Sequence, residues 1–225
     1  MSLAGRHALV TGGGAGIGAA IALAFAGAGA RVTIVGRREG LLRETAARAE
    51  GIDWALGDVT DAAGMAAVVA EAAAARGAPG IVVANAGAAE SRPFAKLTAA
   101  DLREALEVNL VGVLNTFQPA LPAMRAAGWG RLVAVASIAG LKGAPYIAAY
   151  CAAKHGVVGL VRSLALEVAK TGVTVNAVCP GYVRTPMLER TLDNIVAKTG
   201  RSREEALAAT VAGNPQGRVI EPEEV

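Results

Sequence analysis

Thr11-Gly12-Gly13-Gly14-Ala15-Gly16-Ile17-Gly18 lies between a short apolar run, Ala8–Val10, and an apolar stretch of helical length, Ile17–Gly27. A strand that ends in a glycine-rich turn and runs straight into a helix is a place where backbone comes close to an anion. Without Cβ, glycine takes positive φ and allows close approach. The helix N-terminus adds free N–H groups and the positive end of its dipole. Counted from Gly12 the spacing is Gly-x-x-x-Gly-x-Gly, which differs from the commoner dinucleotide fingerprint. Glycine runs of this kind also occur as plain loops. Read as a site, the turn offers Gly12, Gly14, Gly16 and Gly18 to a diphosphate.

Working outward, the same rhythm repeats along the chain. Short Val-rich runs occur at Ala8–Val10, Val32–Val35, Trp54–Leu56, Ile81–Ala84, Leu132–Ala136 and Val173–Val178. They are apolar on both faces, as strands buried between two helical layers should be. Helical stretches are expected at Ile17–Gly27, Leu41–Ala49, Ala62–Ala75, Ala99–Arg125, Ala149–Lys170 and Ser202–Ala212. The alternation predicts an α/β protein with a doubly wound parallel sheet and helices on both faces. No Pro/Ser-rich linker or composition break divides residues 1–225, so one dinucleotide-binding domain is expected. In such sheets ligands bind beyond the carboxyl ends of the strands, where the strand order reverses.

The chain is 53% hydrophobic with only 4% aromatic residues, so Ala, Val, Leu and Ile must fill its core. Lys+Arg 22 against Asp+Glu 19 is too even a balance for a nucleic-acid footprint. Two cysteines, Cys151 and Cys179, make no disulfide framework and fit a reducing cytoplasm. Residues Ala8 to Ala30 carry no charge, and Ala28-Gly29-Ala30 has the look of a signal-peptidase site. Five glycines between Gly12 and Gly18 argue against a continuous apolar helix there, and so against a membrane span. His7 and His155 are isolated and read as packing or surface residues, and no metal-ligand cluster is expected. No Gly-x-Ser-x-Gly elbow points to a hydrolase.

Each further motif follows a strand. Val35-Gly36-Arg37-Arg38 ends the second, where an acid would bind ribose hydroxyls and cations a 2′-phosphate. Arg37 and Arg38 supply the cations, and a guanidinium fork suits phosphate oxygens; two solvated arginines at a helix start is the plainer alternative. NADP(H) is therefore favoured, with NAD(H) left open. Asp58, before Val59, can face an adenine amino group or neighbour a helix cap, and Asn85 in Asn85-Ala86-Gly87 can serve the cofactor or a turn.

Tyr150 and Lys154 stand at i, i+4 in Ala149-Tyr150-Cys151-Ala152-Ala153-Lys154, so in a helix they point the same way from adjacent turns. A free phenol titrates near about 10 and is an awkward acid or base at neutral pH. An ammonium about 4–5 Å away, at an effective dielectric of about 20, would favour phenolate by roughly 3–4 kcal/mol and lower that value. Ser137, after the fifth strand, can hydrogen-bond a substrate oxygen while Tyr150 exchanges its proton. Asn109 is a polar amide within an apolar helical run and must find a partner; it can bend the helix and hold a water beneath Lys154.

Together, Asn109, Ser137, Tyr150 and Lys154 behind the Thr-led glycine turn resemble the tetrad of the short-chain dehydrogenase/reductase family, with the family spacing from Ser137 to Lys154. Ala84 stands where the family's Asn-Asn-Ala-Gly has its first Asn. The resemblance implies hydride transfer between nicotinamide and a secondary alcohol/ketone carbon. It also implies that Lys154 holds the nicotinamide ribose and that Pro180, Gly181, Val183 and Thr185 line the nicotinamide, with Thr185 on its carboxamide. Ile17 and Ala86 join the cofactor set on the same ground. Residues from Tyr182 to about Ala212 look like a mobile substrate lid, with Met187 and Leu188 available to an apolar pocket. The Cys179-Pro180-Gly181-Tyr182-Val183-Arg184-Thr185-Pro186 segment looks like those of 3-oxoacyl or polyketide ketoreductases and 3-hydroxyacyl thioester dehydrogenases. The resemblance implies a homo-oligomer, dimer or tetramer. The family continues with a helix and a seventh strand that this sequence lacks. A dinucleotide-binding sensor that kept the pocket without the chemistry is the rival from another class; intact Tyr150 and Lys154 weigh against it.

Overall fold

The computed structural model describes residues 2–225. Six strands form one parallel sheet: β1 (His7–Thr11), β2 (Arg31–Gly36), β3 (Ile52–Leu56), β4 (Ile81–Ala84), β5 (Gly130–Val135) and β6 (Val173–Val178). Their order is β3-β2-β1-β4-β5-β6, so direction of winding reverses between β1 and β4. The expected α/β class and topology are found. Alternate residues serve opposite faces. Leu9, Val82 and Leu132 pack against α3 (Ala62–Arg76), α5 (Gly112–Phe117) and α7 (Ala148–Glu167). Ala8, Val10, Val32, Ile34 and Val83 pack against α1 (Gly16–Gly27) and α2 (Glu39–Ala46). Both faces are covered, which is why these strands read as unbroken apolar runs. β6 forms one edge, with Thr174, Asn176 and Val178 exposed.

The helix expected over Ala99–Arg125 is not continuous. It divides into α4 (Ala99–Leu106), a π-turn at Glu107–Val111, α5, and α6 (Leu121–Ala126). The π-turn has a side-chain cause. Nδ2 of Asn109 donates to Ala105 O at 2.9 Å, drawing on a carbonyl four residues back and widening the ladder there. The break before α6 is explained by Pro122, which sits in that helix's first turn and could not continue α5 without a clash and a lost bond.

The segment after β6 carries α8 (Pro186–Thr199) and α9 (Arg203–Val211). These helices share a small apolar cluster of Leu188, Leu192, Ala206 and Val219, separate from the two sheet clusters. Among the described residues no helix is long and apolar enough to cross a membrane.

Candidate active site

The turn after β1 is held by a polar net that crosses the reversal point. Oγ1 of Thr11 accepts from Asn85 N at 3.1 Å and Ala86 N at 3.2 Å, and Nδ2 of Asn85 donates to Thr11 O at 2.9 Å. Asn85 therefore stitches the end of β4 to the end of β1. Gly12 sits at φ +67°, and a Cβ on Gly18 would lie 2.3 Å from Gly12 O and 2.5 Å from Asn85 Nδ2. Any side chain at either position would open the turn. This is a cradle of bare backbone at a helix N-terminus, and its chemistry fits a diphosphate.

One cavity of about 880 Å³ runs from this turn across the carboxyl ends of the strands. Gly12, Gly14, Gly16, Ile17, Arg37, Arg38, Asp58, Val59, Asn85, Ala86 and Gly87 line it, together with Ser137, Tyr150, Lys154, Pro180, Gly181, Val183 and Thr185. Gly18 and Asn109 are not on its wall; they support it from behind.

At one end, Nη1 of Arg37 meets Oδ2 of Asp58 at 3.5 Å. Asp58 also accepts from Thr60 N and Thr60 Oγ1 at 3.0 and 2.9 Å, and these bonds hold its carboxyl below the usual range. The Arg37 guanidinium is 73% exposed, so most of its donor fork faces outward, free for an anion. A cation and a carboxylate so placed fit the adenosine end of a dinucleotide phosphorylated on its ribose.

At the other end, Tyr150 and Lys154 project from adjacent turns of α7, and Nζ of Lys154 lies 5.7 Å from the Tyr150 ring centroid. Ser137 caps a short 3-10 turn after β5, its Oγ accepting from Ala139 N at 3.1 Å, and it lines the cavity together with the phenol of Tyr150. The electrostatics differ from the sequence expectation. Burial raises the Tyr150 phenol above its ordinary value, with the neighbouring Ser137 hydroxyl opposing. Burial also draws Lys154 down to about 8 from 10.5. Apolar surroundings penalise the charge on each group.

Asn109 is 1% exposed. Its Oδ1 accepts from Ala88 N at 3.2 Å and its Nδ2 donates to Ala88 O at 2.9 Å, so the carboxamide clamps the peptide after Gly87. A Cβ on Gly87 would lie 2.8 Å from Asn109 Oδ1 and 3.7 Å from Lys154 Nζ. Asn109 thus reaches Lys154's neighbourhood through the Gly87-Ala88 backbone.

The cavity wall includes residues that no motif announced. Glu90, Ser91, Glu104, Lys142 and Ile147 belong to loops and helix faces whose position comes from tertiary packing. Beside them Tyr146 adopts φ 66°, the one positive φ at a non-glycine among the described residues, and its carbonyl accepts Arg92 N at 2.7 Å. A left-handed tyrosine costs on the order of 1–3 kcal/mol, and its bond to Arg92 ties the loops before α4 and α7 together. Asn115 on α5 was also missed, and a lone amide in the apolar run Leu110–Phe117 was the signal for it. His7 packs as expected, with Nδ1 2.6 Å from Gly77 O and Nε2 2.9 Å from Thr33 Oγ1. His155 lies on the exposed side of α7, away from the cavity. Among the described residues no group of His, Cys, Asp and Glu could hold a metal ion.

The family model described as short chain dehydrogenase matches residues 6–195. The chain is 40% identical over 231 residues to cis-4-hydroxycyclohexanecarboxylate dehydrogenase of Sinomonas cyclohexanicum, covering 100% of this chain and 87% of that protein. It is 36% identical over 169 residues to D-beta-hydroxybutyrate dehydrogenase of Rhizobium meliloti strain 1021, covering 75% of this chain and 66% of that protein. Among solved structures, a variant of actinorhodin polyketide ketoreductase with NADPH superposes with a TM-score of 0.93 at 37% identity, covering 97% of this chain and 86% of that one.

Proposed function

This chain belongs to the short-chain dehydrogenase family and is an NAD(P)-dependent oxidoreductase, and we propose that it is an NADP(H)-linked reductase of ketone carbons. The observation that carries the reading is the convergence of Ser137, Tyr150 and Lys154 on the cavity that begins at the glycine turn. A nicotinamide bound there supplies or accepts the hydride. Tyr150, kept protonated by burial, donates its proton to the carbonyl oxygen as negative charge develops on it. Ser137 hydrogen-bonds the same oxygen and favours the phenolate that donation leaves behind. Lys154, tied to Val135 O at 2.8 Å, holds its charge near the phenol ring and offers further N–H groups to the ribose. Asn109 fixes the peptide that separates it from Lys154. Gly12, Gly14, Gly16, Ile17, Asn85, Ala86 and Gly87 hold the diphosphate and ribose. Pro180, Gly181, Val183 and Thr185 hold the nicotinamide, and Arg37 and Arg38 recognise the 2′-phosphate.

The substrate class proposed is a 3-oxoacyl thioester or a related cyclic or polyketide ketone, in keeping with the relatives' names. The residues 182–212 form the substrate-side cover, and the enzyme works as a cytoplasmic homo-oligomer. A panel of acetoacetyl thioester and cyclic ketones, assayed with NADPH and NADH, tests the proposal. NADPH-dependent reduction of at least one is expected. Turnover confined to NADH refutes the cofactor preference, and absence of turnover across the panel in protein that binds NADPH refutes the substrate class.

A further inference from the structure

Asn115 is 6% exposed and sits in α5, six residues after Asn109. It touches neither Tyr150 nor the glycine turn. Its Nδ2 donates to Val59 O at 2.8 Å, a bond between residues 56 positions apart. Val59 lines the cavity beside Asp58, at the end away from Tyr150. The same helix touches Val59 a second time, since a Cβ on Gly112 would lie 2.8 Å from Val59 Cγ2 and 3.1 Å from its Cβ.

The loop that carries Asp58 and Val59 is also held by Asp61 N donating to Asp58 O at 3.0 Å and by the packing of the Val59 side chain in the sheet core. Asp58 is bonded to its own neighbour Thr60 and, on the outer side, to the exposed Arg37. Gly57 N donates to Gly36 O at 3.0 Å, which anchors the loop's start to β2. Packing sets the Val59 side chain in the core, and the Asn115 bond adds the side-chain donor that holds its carbonyl against the helical layer. Two carboxamides on one bent helix therefore hold the two ends of the crevice: Asn109 holds Ala88 beside Lys154, and Asn115 holds Val59 beside Asp58.

We propose that Asn115 is a positioning residue for cofactor binding, setting the wall against which the adenosine half of the dinucleotide rests. This rests on the reading of the crevice as a dinucleotide site. It assigns Asn115 to affinity, in contrast to Asn109 at the chemical end. The physical reason is that a buried carbonyl without its donor must shift to find another partner, and Val59 cannot shift without reshaping the cavity.

The test uses Asn115→Ser, which withdraws the donor without adding bulk, and Gly112→Ala, which presses on Val59 from the same helix. The probe is ADP-ribose, which carries adenosine and diphosphate but no nicotinamide, titrated by calorimetry alongside circular dichroism. Asn115→Ser is expected to weaken ADP-ribose by about fivefold to tenfold. The cofactor KM rises by the same factor, with kcat at saturating cofactor within about twofold of wild type. Gly112→Ala is expected to act in the same direction, and decides the matter should Asn115→Ser fail to fold. Folded variants that bind ADP-ribose as wild type does, or that lose kcat as much as affinity, overturn the proposal. A wild-type protein that takes neither ADP-ribose nor its 2′-phosphorylated form overturns the reading of the crevice itself, and the proposal with it.

Discussion

Nζ of Lys154 donates to the carbonyl of Val135 at 2.8 Å, joining α7 to the last residue of β5. Two residues further on is Ser137, and one helical turn back is Tyr150, so this single bond fixes the spacing of the three groups that meet at the cavity. It also explains how a lysine 4% exposed is tolerated: the ammonium has a backbone acceptor at the rim of the crevice.

Tyr150→Phe removes the proton donor while leaving the ring's packing intact. Turnover is expected to fall by at least about a thousandfold, with cofactor affinity within a few-fold of wild type. Steady-state kinetics and cofactor fluorescence read both quantities, and retained turnover would refute Tyr150 as the acid.

Lys154→Met exchanges function for stability. The fall from 10.5 to about 8 corresponds to roughly 3 kcal/mol of penalty on the buried charge. A lowered amine value means the folded state resists the proton. The penalty is therefore complete below pH 8 and shrinks as pH rises towards the unfolded value. The difference in melting temperature, variant minus wild type, is expected to be more positive at pH 7 than at pH 10, while turnover falls at least about a hundredfold. A difference independent of pH would show that Lys154 carries no such cost.

Reduction should respond to the same group. With Lys154 at about 8, the ammonium is lost above that pH, while the raised phenol stays protonated. The pH profile of kcat/KM for reduction is expected to bend downward near pH 8. A flat profile to about pH 9.5 contradicts the role given to the charged form.

Arg37→Ser tests the cofactor preference at a side chain 73% exposed, where folding is not at stake. NADPH affinity is expected to weaken about tenfold or more, with NADH affected less than twofold or improved, because a fork suited to phosphate is lost. Equal weakening of both cofactors counts against 2′-phosphate recognition.

His7 gives the fold an acid-sensitive joint. Burial, with Arg76 and Arg31 nearby, lowers its value from 6.5, against the opposing bond to Gly77. A lowered histidine value means that its contribution to stability is present above 6.5 and is lost as pH falls below it, since the unfolded chain takes the proton first. Denaturant midpoints measured from pH 7 down to pH 5 should fall less steeply in His7→Gln than in wild type. Parallel slopes would remove His7 from the account.

Much of this protein was legible in its residues because local rules sufficed. Short strands apolar on both faces, a glycine turn before a helix, and Tyr150 and Lys154 at i, i+4 are all statements about near neighbours in sequence. The continuous helix expected over Ala99–Arg125 runs through Pro122, whose ring marks the break in the structure.

What the chain by itself determined is the set of groups and their order: a glycine turn at a helix start, cations after β2, and Ser137, Tyr150 and Lys154 behind them. Only the tertiary structure decided their electrical state and their allies. Burial reversed the expected direction of the Tyr150 shift, because desolvation depends on everything packed around a group and pairwise spacing does not report it. The partners Ala88 for Asn109 and Val59 for Asn115 are 21 and 56 residues away, and a carboxamide carries no mark of which distant carbonyl the fold will bring to it.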